Sequence, residues 1–501
     1  MEYVISKLSG LGALAAICIC RSKVRRSARY LDTLQALEPG RGIIASLTIQ
    51  ASDLKKERTD LHQRYTDLCH AISSPLMPPT ANNKAVPKAS VAAAIARRNQ
   101  EFQDLDLLER EIRSLPGFGK FPHTQSTIDF TDLARRGPIV CFSTTGDITI
   151  AFLVTTRGVE VISLDDISYE DLRGHVEFLV RGKSPSKVRK SKKAENNELV
   201  RKALKWLWTC AVEPVLRHLN LINNVPPKML PRIWWVTSGL LGLLPLHAAG
   251  SGWGTSRNNT MSHVVSSYTP TFKALAYVRQ KQLRPLGDPG TKFLVVRAPE
   301  RKGCKPLDPN QTELKGVLKK FGPDMVKESL PSSPSPEEVL ESLKTANIAH
   351  FICHGISEAH NPSRGGLQLH DGEDGRLTIH DLASCSLDQV QIAYLSACST
   401  AQNKANNLVD ELIHVAGAFN LVGFTHVIGT LWEASDEIAA MVAPTFYKML
   451  NGKIQEGLSD NDAVAYALHE VVISLWKKNG KIEKKKRDRV DDWVPFIHIG
   501  A

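Results

Sequence analysis

The chain has 501 residues, which is too long for one ordinary domain and suggests two or three, each burying its own core. Hydrophobic residues make up 42% of the chain and charged residues 23%, as in globular proteins, which excludes collagen-like, coiled-coil and wholly disordered chains. The formal net charge of +11 raises the question of a nucleic-acid partner.

The positive charge is concentrated in two short tracts. Residues 181–193 contain seven basic residues and no acidic one, and residues 477–489 contain eight basic and two acidic residues. Together the tracts exceed the net charge, so the rest of the chain is slightly acidic. Tracts of this kind are usually solvated loops. We therefore expect no general nucleic-acid surface, although the tracts leave open recruitment of nucleic acid as an activator, which strong salt dependence would reveal.

The nine cysteines form no CxxC pair and no regular spacing, so they do not predict a disulfide framework. This pattern indicates a reducing compartment, hence cytoplasm or nucleus. Residues 8–20 are apolar, but the run is short for a membrane span, which needs about 20 residues. Its basic residues follow the run, whereas a secretory signal has them before it. We therefore expect a buried helix here, with a membrane anchor as the less favoured alternative.

Residues 1–112 are predicted to be helical, because residues 28–37, 43–71 and 91–115 are rich in helix-forming residues and are separated by Pro and Gly. Such a segment suits the end of a helical solenoid of the TPR type with a connector. No repeat can be aligned within it, so the sequence alone does not establish a solenoid.

The pattern changes near residue 139, where residues 139–143, 148–155 and 159–164 read as short strands. A polar, basic insertion is expected at residues 181–197, followed by a helix over 199–221 and a strand over 232–238. We take residues 113–290 as one structural unit.

Residues 291–501 alternate between strands and helices. Strands are predicted at 293–297, 348–353, 390–397 and 426–431, and helices at 311–321, 336–345, 409–422, 435–450 and 460–476. Apolar strands separated by helices predict an α/β fold with a parallel sheet covered on both faces. In such sheets the chemistry lies at the carboxyl ends of the strands.

Two predicted strands end in reactive side chains. The strand at 348–353 leads into His354 and Gly355, and the strand at 390–397 leads into Cys398. If these strands are parallel neighbours, the imidazole can face the thiol, activate it as a base and protonate the leaving amine. The order and spacing of the two residues are close to those of a caspase-type pair, in which the His precedes the Cys by roughly 50 residues.

Other interpretations stay open at this point. A cysteine at a strand end is more often a core residue than a nucleophile, and a histidine beside a glycine is often structural. A metal site built from His354, His370, Cys385 and Cys398 would lack the usual ligand spacing. His350 precedes His354 by roughly 13 Å along a strand, so both cannot serve one thiol, and His354 at the strand end is the better base.

The sequences HFICHG at 350–355 and LSACST at 395–400 resemble the two signature motifs of CHAT domains, which are relatives of caspases and separase. The resemblance also covers LTIHDL at 377–382, GTLW at 429–432 and the region of Trp493. It extends from about residue 130 to the end. Residues 37–42 and 112–118 resemble the segments that join TPR repeats to CHAT domains in fungal proteins.

The resemblance implies a caspase-like sheet flanked by helices, with residues 113–290 as its N-terminal, regulatory half and residues 291–501 as its catalytic half. It implies a cysteine endopeptidase with His354 as general base, Cys398 as nucleophile and the N–H groups of Gly355 and Cys398 as oxyanion donors. Asp436 would bind a basic substrate side chain on the residue before the cleaved bond; the alternative is that it only caps a helix.

No cofactor and no metal are implied by the resemblance. The substrate would be a partner protein or the chain itself, and a helical-repeat partner would regulate cleavage. The rival interpretation is a catalytically silent module with the same fold, which serves signalling or assembly.

Overall fold

A computed structural model of the chain describes residues 30–31, 33–34, 54, 57–73, 88–116, 118, 128–146, 148–181, 190–222, 229–236, 239–251, 257–298, 312–319, 326–330, 333–356, 364–372, 374–383, 387–396, 415–432, 434, 436–481 and 490–501.

The described helices and strands alternate over most of the chain. The α-helices are α1 Thr59–Ser73, α2 Lys88–Arg113, α3 Phe130–Leu133, α4 Tyr169–Val176, α5 Lys190–Leu207, α6 Glu213–His218, α7 Phe272–Gln280, α8 Thr312–Leu318, α9 Pro336–Leu343, α10 Ile379–Ala383, α11 Val415–Leu421, α12 Asp436–Gln455 and α13 Asp460–Lys481. The strands are β1 Ile139–Thr145, β2 Ile148–Thr155, β3 Gly158–Ser163, β4 Arg232–Val236, β5 Val265–Thr269, β6 Lys292–Arg297, β7 Val326–Ser329, β8 Ile348–Ile352, β9 His354–Ile356, β10 Gly366–Gln368, β11 Arg376–Thr378, β12 Ile392–Ser396, β13 His426–Thr430 and β14 Phe496–Gly500. Short 3₁₀ turns occupy Ala134–Arg136, Leu240–Leu243, Leu246–Ala248, Thr260–Ser262 and Val490–Asp492, and π-helical turns occupy Glu177–Arg181 and Trp208–Val212.

Eleven of these strands form one sheet in the order β3-β2-β1-β4-β5-β14-β13-β12-β8-β6-β7, and β11-β10-β9 form a small second sheet. β1, β4, β5 and β14 are parallel to one another, and so are β13, β12, β8, β6 and β7. The two groups meet at β13 and β14, which pair antiparallel. We call β3, β2, β1, β4, β5 and β14 the first half of the sheet, and β13, β12, β8, β6 and β7 the second half.

Because the two halves meet antiparallel, their parallel strands run in opposite directions. The carboxyl ends of β1, β4 and β5 therefore lie at one edge of the sheet, and those of β6, β8, β12 and β13 lie at the other. By the rule for parallel sheets, a ligand site at either edge is expected on the loops that follow the strands whose carboxyl ends lie there.

Helices cover both faces, as the alternation of side chains along the strands requires. In the first half, Trp235 stacks at 6.1 Å on Phe142 in one core, while neighbouring Trp234 lies in a second core with Phe272 of α7. In the second half, Phe351 packs at 5.0 Å against Phe419 of α11, on the face opposite to α12. The predicted α/β class with a mostly parallel, doubly covered sheet is confirmed.

The N-terminal helices α1 and α2 pack together through a small core of their own. Its buried residues are Leu54, Leu61, Tyr65, Leu108, Ile112 and Phe118. Arg64 of α1 also forms an ion pair at 3.1 Å with Glu111 of α2. None of the helices in the described ranges is long and apolar enough to cross a membrane, and residues 8–20 lie outside those ranges.

Several boundaries differ from the sequence-based prediction. α5 begins at Lys190, inside the expected insertion at 181–197, so residues 190–197 are helical and only 182–189 lie outside the described chain. Amphipathic packing of the later turns carries the helix back into the basic tract. The prediction also missed β5, β7 and α7, which are short elements whose burial depends on distant strands.

Candidate active site

The strands that precede the two predicted catalytic residues are parallel neighbours. β8 and β12 pair from Ile348 with Ile392 to Ile352 with Ser396. His354 and Cys398 each follow by two positions the last pair of this register. Cys398 lies in residues 397–414, outside the described chain, so the structure gives the position of the strand end that leads to it and no more.

The backbone changes its partner immediately after β8. Cys353 is fully buried, and the next residues, His354–Ile356, form β9 in the small sheet. There His354 pairs with Gln368 and Gly355 pairs with Leu367, both antiparallel. His354 is only partly buried, unlike the strand residues before it. The imidazole is therefore carried by a second, small sheet at the carboxyl edge of the second half.

The small sheet is stabilised by local hydrogen bonds in the segment LTIHDL. The backbone N–H and the hydroxyl of Thr378 donate to the Asp381 carboxylate at 2.8 and 2.6 Å, and the Asp381 N–H donates to the Thr378 hydroxyl at 3.1 Å. These reciprocal bonds fix the turn from β11 into α10. At Gly366 of β10 a Cβ would lie 2.0 Å from the Leu377 carbonyl oxygen, so only glycine fits beside β11. The spacing of Thr and Asp thus has a structural reason.

A buried polar cluster lies two residues before the ends of β8 and β12. His350 of β8 has no exposed surface, and its Nε2 lies 3.2 Å from a Glu313 carboxylate oxygen of α8. Its Nδ1 lies 3.1 Å from the hydroxyl of Tyr447 of α12, and its ring stacks at 4.8 Å on Tyr394 of β12. Burial raises the pKa of both tyrosines well above the usual value, so both stay neutral.

These contacts distinguish the two histidines of the motif. Both ring nitrogens of His350 are engaged inside the core, whereas His354 lies beyond the strand end. Sequence reasoning missed Glu313 and Tyr447 as partners of His350. The sequence pattern could have indicated that Glu313 is buried, because Glu313 precedes the buried residue Val317 by one helical turn and so lies on the same face of the helix.

The remaining residues that were considered from the sequence are Asp436, His370 and Cys385. Asp436 begins α12, but its side chain is not among those described. His370 Nδ1 lies 3.0 Å from its neighbour's carbonyl oxygen, at Asp371. Cys385, like Cys398, lies outside the described chain. Among the residues that are described, no group of three or more His, Cys, Asp and Glu side chains could hold a metal ion.

A second buried polar cluster joins the two halves of the sheet. Arg232 of β4 donates to Asp462 at 3.0 Å and to Ser267 at 2.6 Å, and burial lowers its pKa to about 10. His426 of β13 lies 3.0 Å from His498 of β14. Burial lowers the pKa of His426 to about 3 and that of His498 well below its usual value, so both are neutral at pH 7. We call these five residues the seam cluster.

Comparisons with known proteins agree with this architecture. Residues 201–501 match the family described as CHAT domain. No curated protein matches the chain significantly.

Among solved structures, two separase–securin complexes of Saccharomyces cerevisiae match 99% of the chain, with TM-scores of 0.56 and 0.50 and identities of 9% and 10%. The chain spans only 36% and 40% of those separase chains. The Arg-specific cysteine proteinase gingipain R is similar over 66% of this chain and 74% of its own, at 10% identity and a TM-score of 0.38.

The likeness to separase concerns the fold, since the identities are low. The family match covers more than half of the chain and includes both β8 and β12, the paired strands that precede positions 354 and 398. The chain belongs to the CHAT domain family.

Proposed function

We propose that the protein is a cysteine endopeptidase with His354 as general base and Cys398 as nucleophile. The observation that carries the proposal is the register of β8 and β12, which end side by side at Ile352 and Ser396. Each reactive residue follows this pair at the same distance along the chain. Residues two positions past these neighbouring strand ends are therefore expected at the same edge of the sheet, where an imidazole and a thiol could meet.

The chemistry proposed for this edge uses two side chains of the protein and water. His354 takes the proton of the Cys398 thiol, and the thiolate attacks the carbonyl carbon of a peptide bond. The imidazolium then gives the proton to the leaving amine, and water hydrolyses the thioester that remains.

The oxyanion donors proposed are the N–H groups of Gly355 and Cys398. Residues of an antiparallel ladder alternate between pairs that exchange hydrogen bonds and pairs whose N–H groups point outward. The proposal requires Gly355, opposite Leu367, to be of the second kind. A substrate carbonyl could then reach its N–H without disrupting the small sheet.

Asp436 is proposed to select a basic side chain before the cleaved bond. It begins α12, and the strand before this helix, β13, ends beside β12 at the same edge of the sheet. A carboxylate there would attract Lys or Arg in the substrate. Replacing Asp436 with Asn should then weaken cleavage or labelling by probes with a basic residue and leave probes with a neutral residue little changed.

Regulation by a protein partner is a further part of the proposal. The separase structures that resemble this chain contain securin as a partner. Here the helix pair α1 and α2 has its own core and precedes the family-matched region, which suits a segment of TPR–CHAT type that binds a partner. The substrate would be a partner protein or the chain itself.

The test is labelling of the purified protein with a peptide acyloxymethylketone and with iodoacetamide, with the modified residue mapped by mass spectrometry. We expect fast labelling of Cys398, lost in Cys398→Ala and slowed by about 10²-fold or more in His354→Ala. Cys210, which is partly buried and whose pKa is raised by burial, serves as an internal slow thiol.

Labelling of Cys398 no faster than that of Cys210, and unchanged in His354→Ala, would contradict the proposal. The family fold would then serve as a non-catalytic interaction module.

A further inference from the structure

We propose that His350, Glu313 and Tyr447 form a positioning unit that holds the elements of the active edge in register. None of the three would touch substrate. This inference rests on the proposed function, since it concerns the same strand ends. It assigns a role to a buried cluster that the catalytic proposal leaves unused.

The cluster joins three described elements that lead to, or begin at, a proposed site residue. His350 belongs to β8, which leads to His354, and stacks on Tyr394 of β12, which leads to Cys398. Tyr447 belongs to α12, which begins at Asp436. One imidazole therefore connects the three elements, and Glu313 adds a fourth, α8, which packs on α12.

The level of the cluster in the sheet favours this role. His350 and Tyr394 are directly paired in the register, and each stands four residues before the proposed base or nucleophile. This places the cross-strand contact two residues before the last pair of the register, Ile352 with Ser396. A shift of β8 against β12 would break the ring stacking and misalign the two reactive positions by the same amount.

The chemistry of the cluster is directional. Nε2 of the ring faces the Glu313 carboxyl group and Nδ1 faces the Tyr447 hydroxyl. The imidazole thus has one allowed orientation between two helices. An apolar side chain of the same volume could fill this space at little cost in stability, so we assign the polar triad a role in defining geometry.

A matched pair of variants separates positioning from general stability. Tyr447→Phe removes a fully buried hydroxyl 3.1 Å from His350 Nδ1, and Tyr268→Phe removes a fully buried hydroxyl 2.8 Å from His247 Nδ1 in the first half. Both lose a hydrogen bond between a tyrosine hydroxyl and a histidine ring, and Tyr268→Phe also loses the bond that this hydroxyl accepts from the His247 backbone N–H at 3.1 Å, so the control is the harsher change. Glu313→Leu and Glu313→Gln form a second pair, in which the glutamine keeps an acceptor for Nε2.

The first readout is hydrogen exchange of the full chain at pH 7. We expect exchange at residues 352–356 and 394–400 to rise about tenfold in Tyr447→Phe and Glu313→Leu, the factor for one buried hydrogen bond. Glu313→Gln should recover most of the protection. Tyr268→Phe should change exchange in β5 and leave these residues unaffected. Equal or evenly spread changes in Tyr447→Phe and Tyr268→Phe would overturn the inference.

The second readout is the labelling rate of Cys398 in the same variants. We expect Tyr447→Phe and Glu313→Leu to slow it about tenfold while Tyr268→Phe leaves it unchanged; equal rates in all three would overturn the positioning role. If wild-type Cys398 is itself unreactive, the proposed function fails, and the exchange pattern alone decides whether the cluster positions the strand ends.

Discussion

The two halves of the sheet use the residues after their strands differently. In the second half, β8 is followed by His354 and Gly355 at the carboxyl edge. In the first half, β5 is followed by Thr271, whose hydroxyl accepts the Ala274 N–H at 3.0 Å and caps α7. The two edges face opposite ways because β13 and β14 pair antiparallel. Similar layers thus carry the proposed chemistry at one edge and helix capping at the other, in keeping with the rule that function resides in the site and not in the architecture.

The largest expected effect tests whether the halves form one cooperative unit. Phe142 in β1 and Phe351 in β8 are both fully buried, against Trp235 and Phe419 respectively. Phe→Ala at either position should cost about 3–5 kcal/mol. If the continuous sheet unfolds as one unit, each variant shifts the same single transition in chemical denaturation. Two transitions, with each variant moving only one, would show that the halves are independent.

Acid should act on the seam between the halves. The pKa of His426 is about 3 in the folded protein and near 6.5 when unfolded, so the unfolded chain binds the proton first as the pH falls. The stabilisation is complete above pH 6.5 and is lost progressively down to about pH 3. We expect a loss of about 2 kcal/mol from this residue between pH 6.5 and pH 5.

The measurement is urea denaturation at the two pH values. His426→Gln should have a smaller difference between them, whereas Phe142→Ala, which removes a buried side chain without a titratable group, serves as control and should keep the wild-type difference. An unchanged difference in His426→Gln would contradict the assignment.

Removing the acidic partner of Arg232 should destabilise the fold less than either Phe→Ala change. Breaking a fully buried ion pair typically costs 3–5 kcal/mol, but the Asp462 side chain is 35% exposed and Arg232 keeps Ser267 as an acceptor. We expect about 2 kcal/mol for Asp462→Ala, measured by urea denaturation at pH 7. A matched surface variant, Asp132→Ala, removes an exposed pair with Arg135 and should cost well under 1 kcal/mol. Equal costs would mean that the seam arginine is not dependent on its partner.

The smallest expected effects compare two helix caps. The Ser335 hydroxyl accepts from Glu338 in a capping box at the start of α9, and Thr271 caps α7. Each change to Ala should cost about 1 kcal/mol. Because Thr271 is buried and Ser335 is not, Thr271→Ala should cost more in thermal denaturation. The reverse order would indicate that the cap in the second half supports more of the fold.

Much of the second half could be predicted from sequence, because its strands are apolar and bounded by helices with strong end signals. The cap at Ser335, the strand at His350 and the strand before Cys398 are examples, and β8 and β12 are parallel neighbours as expected. Local pattern cannot predict the antiparallel meeting of β13 and β14 or the strand β5, since both depend on contacts between distant segments. The catalytic assignments of His354, Gly355, Cys398 and Asp436 remain predictions.

The rate of Cys398 alkylation as a function of pH, in the wild type and in His354→Ala, tests whether the convergence of the two strand ends activates this thiol. Activation by the His354 imidazole should give a midpoint well below 8.5 in the wild type, which returns to about 8.5 when the imidazole is removed. A midpoint near 8.5 in both proteins would contradict it.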